Sequence, residues 1–304
     1  MMRLGSLLRR LWHAAFAVEI WNIGVVHVDA AELVAGGRLG PVRWGRIRPH
    51  LRLRADPSLW QAPDGLRILY EELPFYGGKA GIYSIAIDEI DQDRCGRLEI
   101  DRRFHLSYPQ VIEEQGITYC MPEAACANGV DLYPWDPARA AWGEPVRVLD
   151  GIAVIDPTVV RHSGKWFLFG TLRGDTVDSH LWIWHAESLL GPWAVHASAP
   201  IMSVSRTARG AGPFFVAGGA LYRPSQAGHK GYGCELCLNR VEYLSPDEYK
   251  ESEVLRLLPD PSGPYPNGLH TLVMRGNVAV IDGKCYAWHP LAAISKLIWR
   301  LRSG

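Results

Sequence analysis

Apolar residues along this chain come in short alternating runs parted by Gly-containing turns, and one arrangement returns at intervals. "ADPSLWQAPDGLRILYEE" from Ala55, "SYPQVIEEQGITYCMPEA" from Ser107, "IDPTVVRHSGKWFLFGT" from Ile155 and "AGPFFVAGGALYRPSQ" from Ala211 each place a Pro before an alternating run. A Gly-containing turn and a second run follow. The prolines are Pro57, Pro109, Pro157 and Pro213, spaced 52, 48 and 56 residues apart. Alternation with period two predicts half-buried or buried strands, and a Gly turn between two such runs predicts a hairpin. A fifth copy without the Pro, "GLHTLVMRGNVAVIDGKCYAW" from Gly268, has His270 at its strand start and Asp282-Gly283 as its expected turn.

Third strands are expected at "GIYSIAI" (from Gly81), "GVDLYPW" (from Gly129), "LWIWHAE" (from Leu181) and "CELCLNRVEYL" (from Cys234). Fourth strands are expected at "RLEIDRR" (from Arg97) and "PVRVL" (from Pro145). Repeats of about 40–50 residues with up to four strands describe propeller blades. The reading is an all-β protein, a single five-bladed β-propeller over residues 21–290. Blades start near 55, 105, 155, 209 and 268, and the strand Trp21 to Val28 closes the ring. A basic segment at 1–20 and an amphipathic tail at 291–304 flank it. A β-sandwich offers no reason for a 50-residue period.

In a propeller the first strand of each blade lines the channel and the second runs back beside it. Strand-one starts and strand-two ends therefore share one face. Asp56, Tyr108 (with His105 and Ser107 before it), Asp156, Arg209 and His270 stand at the starts. Glu71 or Glu72, Glu123, Thr171 and Arg223 with Gln226 stand at the ends. The turns "APDG", "EQG", "HSG" and "AGG" fall on the opposite face, as ordinary solvent turns.

Composition narrows the picture. The 304 residues carry 32 basic and 32 acidic side chains, so no basic excess points to nucleic acid. No apolar run is long enough to span a bilayer. The start "MMRLGSLLRRLWHAAFAVEI" has no clear cleavage site for a signal peptide. That segment and "LAAISKLIWRLRSG" at the end allow a weak peripheral association with a membrane surface. Cys234 and Cys237 form a CxxC, but on a strand they face opposite sides, so all six cysteines read as free thiols in a reducing compartment and the chain as cytoplasmic.

Several carboxylates in one cleft push each other's pKa values apart, which separates an acid from a base. Two carboxylates flanking a bond are the equipment of glycosidic cleavage. Asp56, Glu123 and Asp156 are the candidate catalytic residues. Glu71, His105, Tyr108, Arg209, Arg223, Gln226, Tyr232 and His270 are the candidate sugar-binding ones. Arg209 and Arg223 could equally brace the acidic side chains. No cofactor motif stands out: "GAGPFF" runs into a strand instead of a helix, and no Gly-x-Ser-x-Gly elbow occurs. No metal set is assigned, although a channel cation would sit nearest His270.

"ADPSLW", "HLSYPQVIEEQGITYCMPEA", "IDPTVVRHSGKWFLFGT", "LLGPWAVH" and "ARGAGPFFVAGGALYRPSQ" together resemble the N-terminal propeller-like domain of plant glucosamine inositolphosphorylceramide transferases and its stand-alone bacterial relatives. "SPDEYKESEV" and "GLHTL" fit the same pattern. In the plant proteins a separate domain resembles the transferase, which implies an accessory role for the propeller. More distantly the layout is similar to the five-bladed family-43 glycoside hydrolases. That resemblance implies a base or nucleophile at Asp56. It departs at blade two, where Tyr108 replaces an Asp, and at blade three, where Asp156 replaces a Glu; Glu123 lies at a strand-two end instead. The leading expectation is an enzyme acting on glycosidic bonds of a glycoconjugate or polysaccharide. Glycosyl transfer at the same rim and a glycan-binding propeller without chemistry are the alternatives.

Overall fold

The computed structural model describes residues 16–47, 52–74, 78–92, 94–203, 206–289 and 292. Most of the basic start and nearly all of the tail lie outside them. The five sheets are the blades of a propeller. Blade 1 runs from the axis outward as Arg52–Ala62, Gly65–Pro74, Gly81–Ala86 and Arg97–Ile100. Blade 2 has Ser107–Glu114, Ile117–Glu123 and Gly129–Asp136, with Ala141–Trp142 and Val146–Asp150 both pairing to the third strand. Blade 3 has Val154–His162, Lys165–Leu172 and His180–Ala186, edged by Ala194–Val195 and Ile201–Met202. Blade 4 has Phe215–Ala217, Ala220–Gln226, Leu236–Leu244 and Tyr249–Leu257.

Blade 5 is assembled from both ends of the chain. Leu272–Arg275 and Val278–Trp288 supply its inner half; Ala17–His27 and Val42–Trp44 supply its outer half. The closing pair is antiparallel and unbroken, from Ala17 opposite Trp288 to His27 opposite Val278. The closing strand thus begins four residues earlier than the expected Trp21. A short helix, Ala30–Gly36, joins the two outer strands. Asp29 caps it by accepting from Ala31 N at 2.7 Å, and Gly37 ends it at φ +65°.

The expected turn at Asp282-Gly283 is not one. The hairpin turns at Gly276 (φ +59°), between the register partners Arg275 and Val278, and Asp282 and Gly283 lie within the second strand. Two local demands put an Asp-Gly there. The Asp282 carboxylate accepts backbone N–H groups inside the channel, and a Cβ at Gly283 would strike the Trp44 and Tyr265 side chains packed over the strand.

The core has one apolar cluster at each blade-to-blade junction. Ile23, Leu59, Ile68 and Val280 fill that between blades 5 and 1; Trp60, Leu69, Cys120 and Tyr133 that between 1 and 2. Met121, Leu132, Val159 and Leu168 join blades 2 and 3; Phe169, Ile183, Leu244 and Tyr249 join 3 and 4. Val26, Leu236, Leu257 and Ile281 join 4 and 5. Each inner strand is covered on both faces, which is why "KWFLFGTL" is buried from Trp166 to Thr171 rather than alternating. Several tryptophans serve this packing: Trp60 meets Trp135 and Trp142 at centroid distances of 4.7 and 5.0 Å. None of the six cysteines is in a disulfide. Among the described residues no helix is long and apolar enough to cross a membrane.

Candidate functional site

One backbone device aims three side chains at the axis. Asp56, Tyr108 and Asp156, each before a Pro, take φ values of +51°, +45° and +48°. At each the strand register slips, between Ala55 and Ser58, Ser107 and Gln110, and Ile155 and Thr158. Such a bulge turns a side chain out of the sheet's alternation. A left-handed conformation in a non-glycine residue costs roughly 1–3 kcal/mol, so the surroundings must hold it. In blade 4 the residue before the Pro is Gly212 (φ +130°), where a Cβ would run into the Leu272 carbonyl.

The first nest surrounds Asp56, which is buried. Its Oδ1 accepts from Thr271 Oγ1 at 3.1 Å and lies 3.4 Å from His270 Nε2. Its backbone N–H donates to Asp282 Oδ2 at 3.1 Å. The Asp282 carboxylate also accepts from His270 N and Thr271 N, both at 3.0 Å, and stands 2.5 Å from His270 Nδ1. His270 Nε2 meets the Tyr232 hydroxyl at 2.9 Å, and the Trp21 ring packs on the imidazole at 4.1 Å. Burial raises the Asp56 pKa to about 8; His270 works against that, while Glu71, Asp156 and Asp282 add to it. Burial opposes charge on His270, but Asp282 and Asp56 outweigh it and raise its pKa. Burial likewise opposes charge on Asp282, yet His270 and the N–H donors hold its pKa below the ordinary value.

The second nest surrounds Asp156. Its Oδ2 accepts from Arg209 Nε at 2.6 Å and from Gln226 Nε2 at 3.1 Å; Gln226 also donates to Gly210 O at 3.0 Å. Its backbone N–H donates to Glu123 Oε2 at 3.0 Å, repeating at blades 2 and 3 the link that Asp282 makes from blade 5 to blade 1. Burial and then the Asp156 charge raise the Glu123 pKa well above its ordinary value; the Asp156 N–H and Arg209 work the other way.

Tyr232 touches both nests. Its hydroxyl is at His270, its ring lies 4.8 Å from the Arg209 guanidinium carbon, and it is 49% exposed. Glu71 reaches the rim and bonds His105 Nε2 at 3.1 Å, while Ala80 N donates to His105 Nδ1 at 3.3 Å. Burial opposes charge on His105, but Glu71 prevails and raises its pKa. Strand alternation sends the neighbouring Glu72 elsewhere, to Arg52 and Arg54.

Two of the sequence candidates are held by the protein itself. The Tyr108 hydroxyl is clasped between Thr158 Oγ1 at 3.1 Å and Gly212 N at 2.5 Å, so it braces blade 2 against blades 3 and 4. Arg223 is not brought to the rim. Its Nε and NH2 chelate Glu251 at 2.8 and 2.5 Å, and NH2 also donates to Thr207 O at 2.9 Å.

Residues 53–263 match the model of the family described as glucosamine inositolphosphorylceramide transferase 1, N-terminal. The chain belongs to this family. It is 32% identical over 207 residues to glucosamine inositolphosphorylceramide transferase 1 of Oryza sativa subsp. japonica, covering 66% of this chain and 28% of that one. The Arabidopsis thaliana protein of the same name is 33% identical over 208 residues, 66% of this chain and 27% of its own. The chain therefore spans under a third of the length of these relatives. A family 117 glycoside hydrolase of Zobellia galactanivorans shares the fold at 13% identity and a TM-score of 0.53, covering 90% of this chain and 97% of that one. A mutant of the GH43 protein BlXynB of Bacillus licheniformis does so at 14% and 0.51, over 70% and 46%.

The family match stops at residue 263, before His270 and Asp282. Blade 5 also supplies what the sequence reading missed: Trp21, Thr271, Asp282 and Lys284. Lys284 is buried, donates to Tyr232 O at 2.7 Å and lies 5.1 Å from the Trp21 ring. Asp282 could have been found by aligning strand-two ends, where it answers Glu123. Arg173, exposed two residues past Thr171, was also missed; its NH2 is 3.2 Å from Cys126 Sγ and its charge acts on Glu123. Donor atoms of Asp56, His270 and Asp282 lie within 4.8 Å of one another, a set that could hold a cation. The Asp282 oxygens are already engaged by three N–H groups and His270, and His270 Nε2 meets the Tyr232 hydroxyl, so a cation there would have to displace these partners.

Proposed function

We propose that the chain is a carbohydrate-active enzyme that acts on a glycosidic bond of a glycoconjugate or polysaccharide with glycoside-hydrolase-like chemistry. One observation carries the reading. Two buried carboxyls, Asp56 and Glu123, are both held at raised pKa, and Asp156, which acts on both, bonds through its backbone to Glu123. Glycosidic cleavage asks for such a pair, one carboxylic acid to protonate the leaving oxygen and one carboxylate to activate water or attack the sugar.

Glu123 is the proton donor in this scheme. Asp56 is the base or nucleophile, competent once its own proton has left. Burial, and after it the Asp156 carboxyl, keeps Glu123 protonated, while Asp156, clamped by Arg209 and Gln226, fixes the blade junction. Tyr232, His105 and Glu71 offer the ligand an aromatic face and polar edges. Gln226, Arg209 and His270 act from beneath. Free thiols throughout suit a reducing compartment.

The test is a panel of polysaccharides and glycoconjugates assayed for released sugar with the native chain and Asp56→Asn. Release that vanishes in the variant supports the reading. Release that persists at the native rate removes Asp56 from the mechanism. Glycosyl transfer at the same rim is the second reading, favoured by the name of the plant relatives. Product that forms only when an activated sugar and an acceptor are both supplied would select it.

A further inference from the structure

Charges around the rim are answered in pairs, with one exception. Glu71 meets His105 at 3.1 Å and Asp156 meets Arg209 at 2.6 Å. Asp178, on the turn that follows blade 3's second strand, meets Arg206 at 3.1 Å. Asp56 and Glu123 are buried, and burial raises both their pKa values, which weakens their claim on a cation.

Arg173 is the exception. It leaves the second strand of blade 3 with its N–H donating to Ala153 O at 3.0 Å, and it is exposed. Its guanidinium reaches across to blade 2, where NH2 lies 3.2 Å from Cys126 Sγ on the turn Ala125–Ala127 just past Glu123. A thiol is a weak acceptor, and this contact engages one of five N–H donors. Arg173 makes no ion pair among the described residues, Asp175 two positions on included. Cys126 and Glu123 are the groups whose charges act on it, and its own charge reaches His105.

We propose that Arg173 binds substrate directly, and that the group leaving the scissile bond carries a carboxylate or phosphate which this guanidinium grips. The placement rests on the glycosidic reading above. Glu123 protonates the leaving oxygen, so a cation beside Glu123 faces the leaving side rather than the sugar held at Asp56. The planar guanidinium suits either anion, with two parallel N–H bonds to one group. The site therefore selects acidic over neutral glycans.

Calorimetric titration of the full chain with D-glucose, D-glucuronate and D-glucose 6-phosphate, and with the same three forms of galactose, tests this. At least one acidic sugar should bind about tenfold or more tightly than its neutral hexose, with the preference shrinking as salt is added. A tighter uronate assigns the anion as carboxylate, a tighter 6-phosphate as phosphate. Arg173→Gln should erase the preference while hexose affinity and melting temperature stay unchanged. Arg173→Lys should keep part of it, and Cys126→Ser all of it. No preference for any acidic sugar, or a preference that survives Arg173→Gln, would overturn the proposal. So would equal loss in Cys126→Ser, since Arg173 would then serve only to hold the turn beside Glu123. Binding is read without turnover: the glycosidic reading fails by absence of sugar release, this one by absence of charge preference.

Discussion

Asp56 and Asp156 occupy the same place in successive odd blades, each before a Pro, each near φ +50°, each buried. Their surroundings part them. Asp156 has a guanidinium and an amide on one oxygen, so its charge is answered within 2.6 Å. Asp56 has a threonine hydroxyl and an imidazole whose own charge is already claimed by Asp282. Burial raises its pKa to about 8, and His270 works only partly against that. A common backbone device delivers the carboxyl; the neighbouring blade decides which partners it meets. Role in such a site belongs to the pair of blades, not to the strand.

The sharpest way to break the comparison is to neutralise each carboxyl. Asp56→Asn should lower turnover by about 10²–10⁴-fold in steady-state assays. If the proposed chemistry holds, the rate of the native chain should rise with pH toward about 8, as Asp56 ionises, and Asp56→Asn should lack that limb. Stability should run the opposite way. A carboxyl whose folded pKa exceeds the unfolded one binds its proton more tightly when folded, so its contribution is full below about pH 4 and drains away as pH rises to about 8. Thermal melts across that window should show the slope, and Asp56→Asn should flatten it.

Asp156→Asn should instead strike stability, by about 3–5 kcal/mol in denaturant unfolding, because Arg209 would keep its charge with no carboxylate beside it. Equal stability losses in the two Asn variants would undo the contrast. Asp282→Asn is next, at roughly 1.5–3 kcal/mol, since its N–H donors lose a charged acceptor. The smallest effect is that of Tyr232→Phe, about 1 kcal/mol or less in stability. It should nevertheless shift the pH profile of turnover, because the hydroxyl on His270 Nε2 is gone.

The five-bladed fold was legible because the Pro-marked bulge repeats where a strand must bend toward the axis. Asp56 and Asp156 stand at that bulge, and Glu123 could be picked out as a strand-two end on the same face. Blade 5 was half legible. It has no Pro, its partner strand lies more than two hundred residues away, and Asp282-Gly283 carries the usual sequence of a turn. The hydrogen bonds to Asp56 N and His270 N show that the Asp282 side chain faces the channel. Arg223 misled because its strand position is right while Glu251, on the outermost strand of its own blade, draws the guanidinium away. Lys284 left no signal; a lysine in "DGKCY" reads as solvent-facing until Tyr232 and Trp21 close over it.

Because blade 5 joins Ala17–His27 to Val278–Trp288, the Asp56 nest needs the last strand of the propeller as well as blade 1. A chain still emerging from the ribosome at blade 4 already owns Asp156, Glu123 and Arg209, yet has neither His270 nor Asp282 to set against Asp56. Premature termination anywhere before Asp282 would leave an open ring in which Asp56 lacks its blade-5 partners. The pocket around Asp56 thus takes shape only when strands more than two hundred residues apart come together.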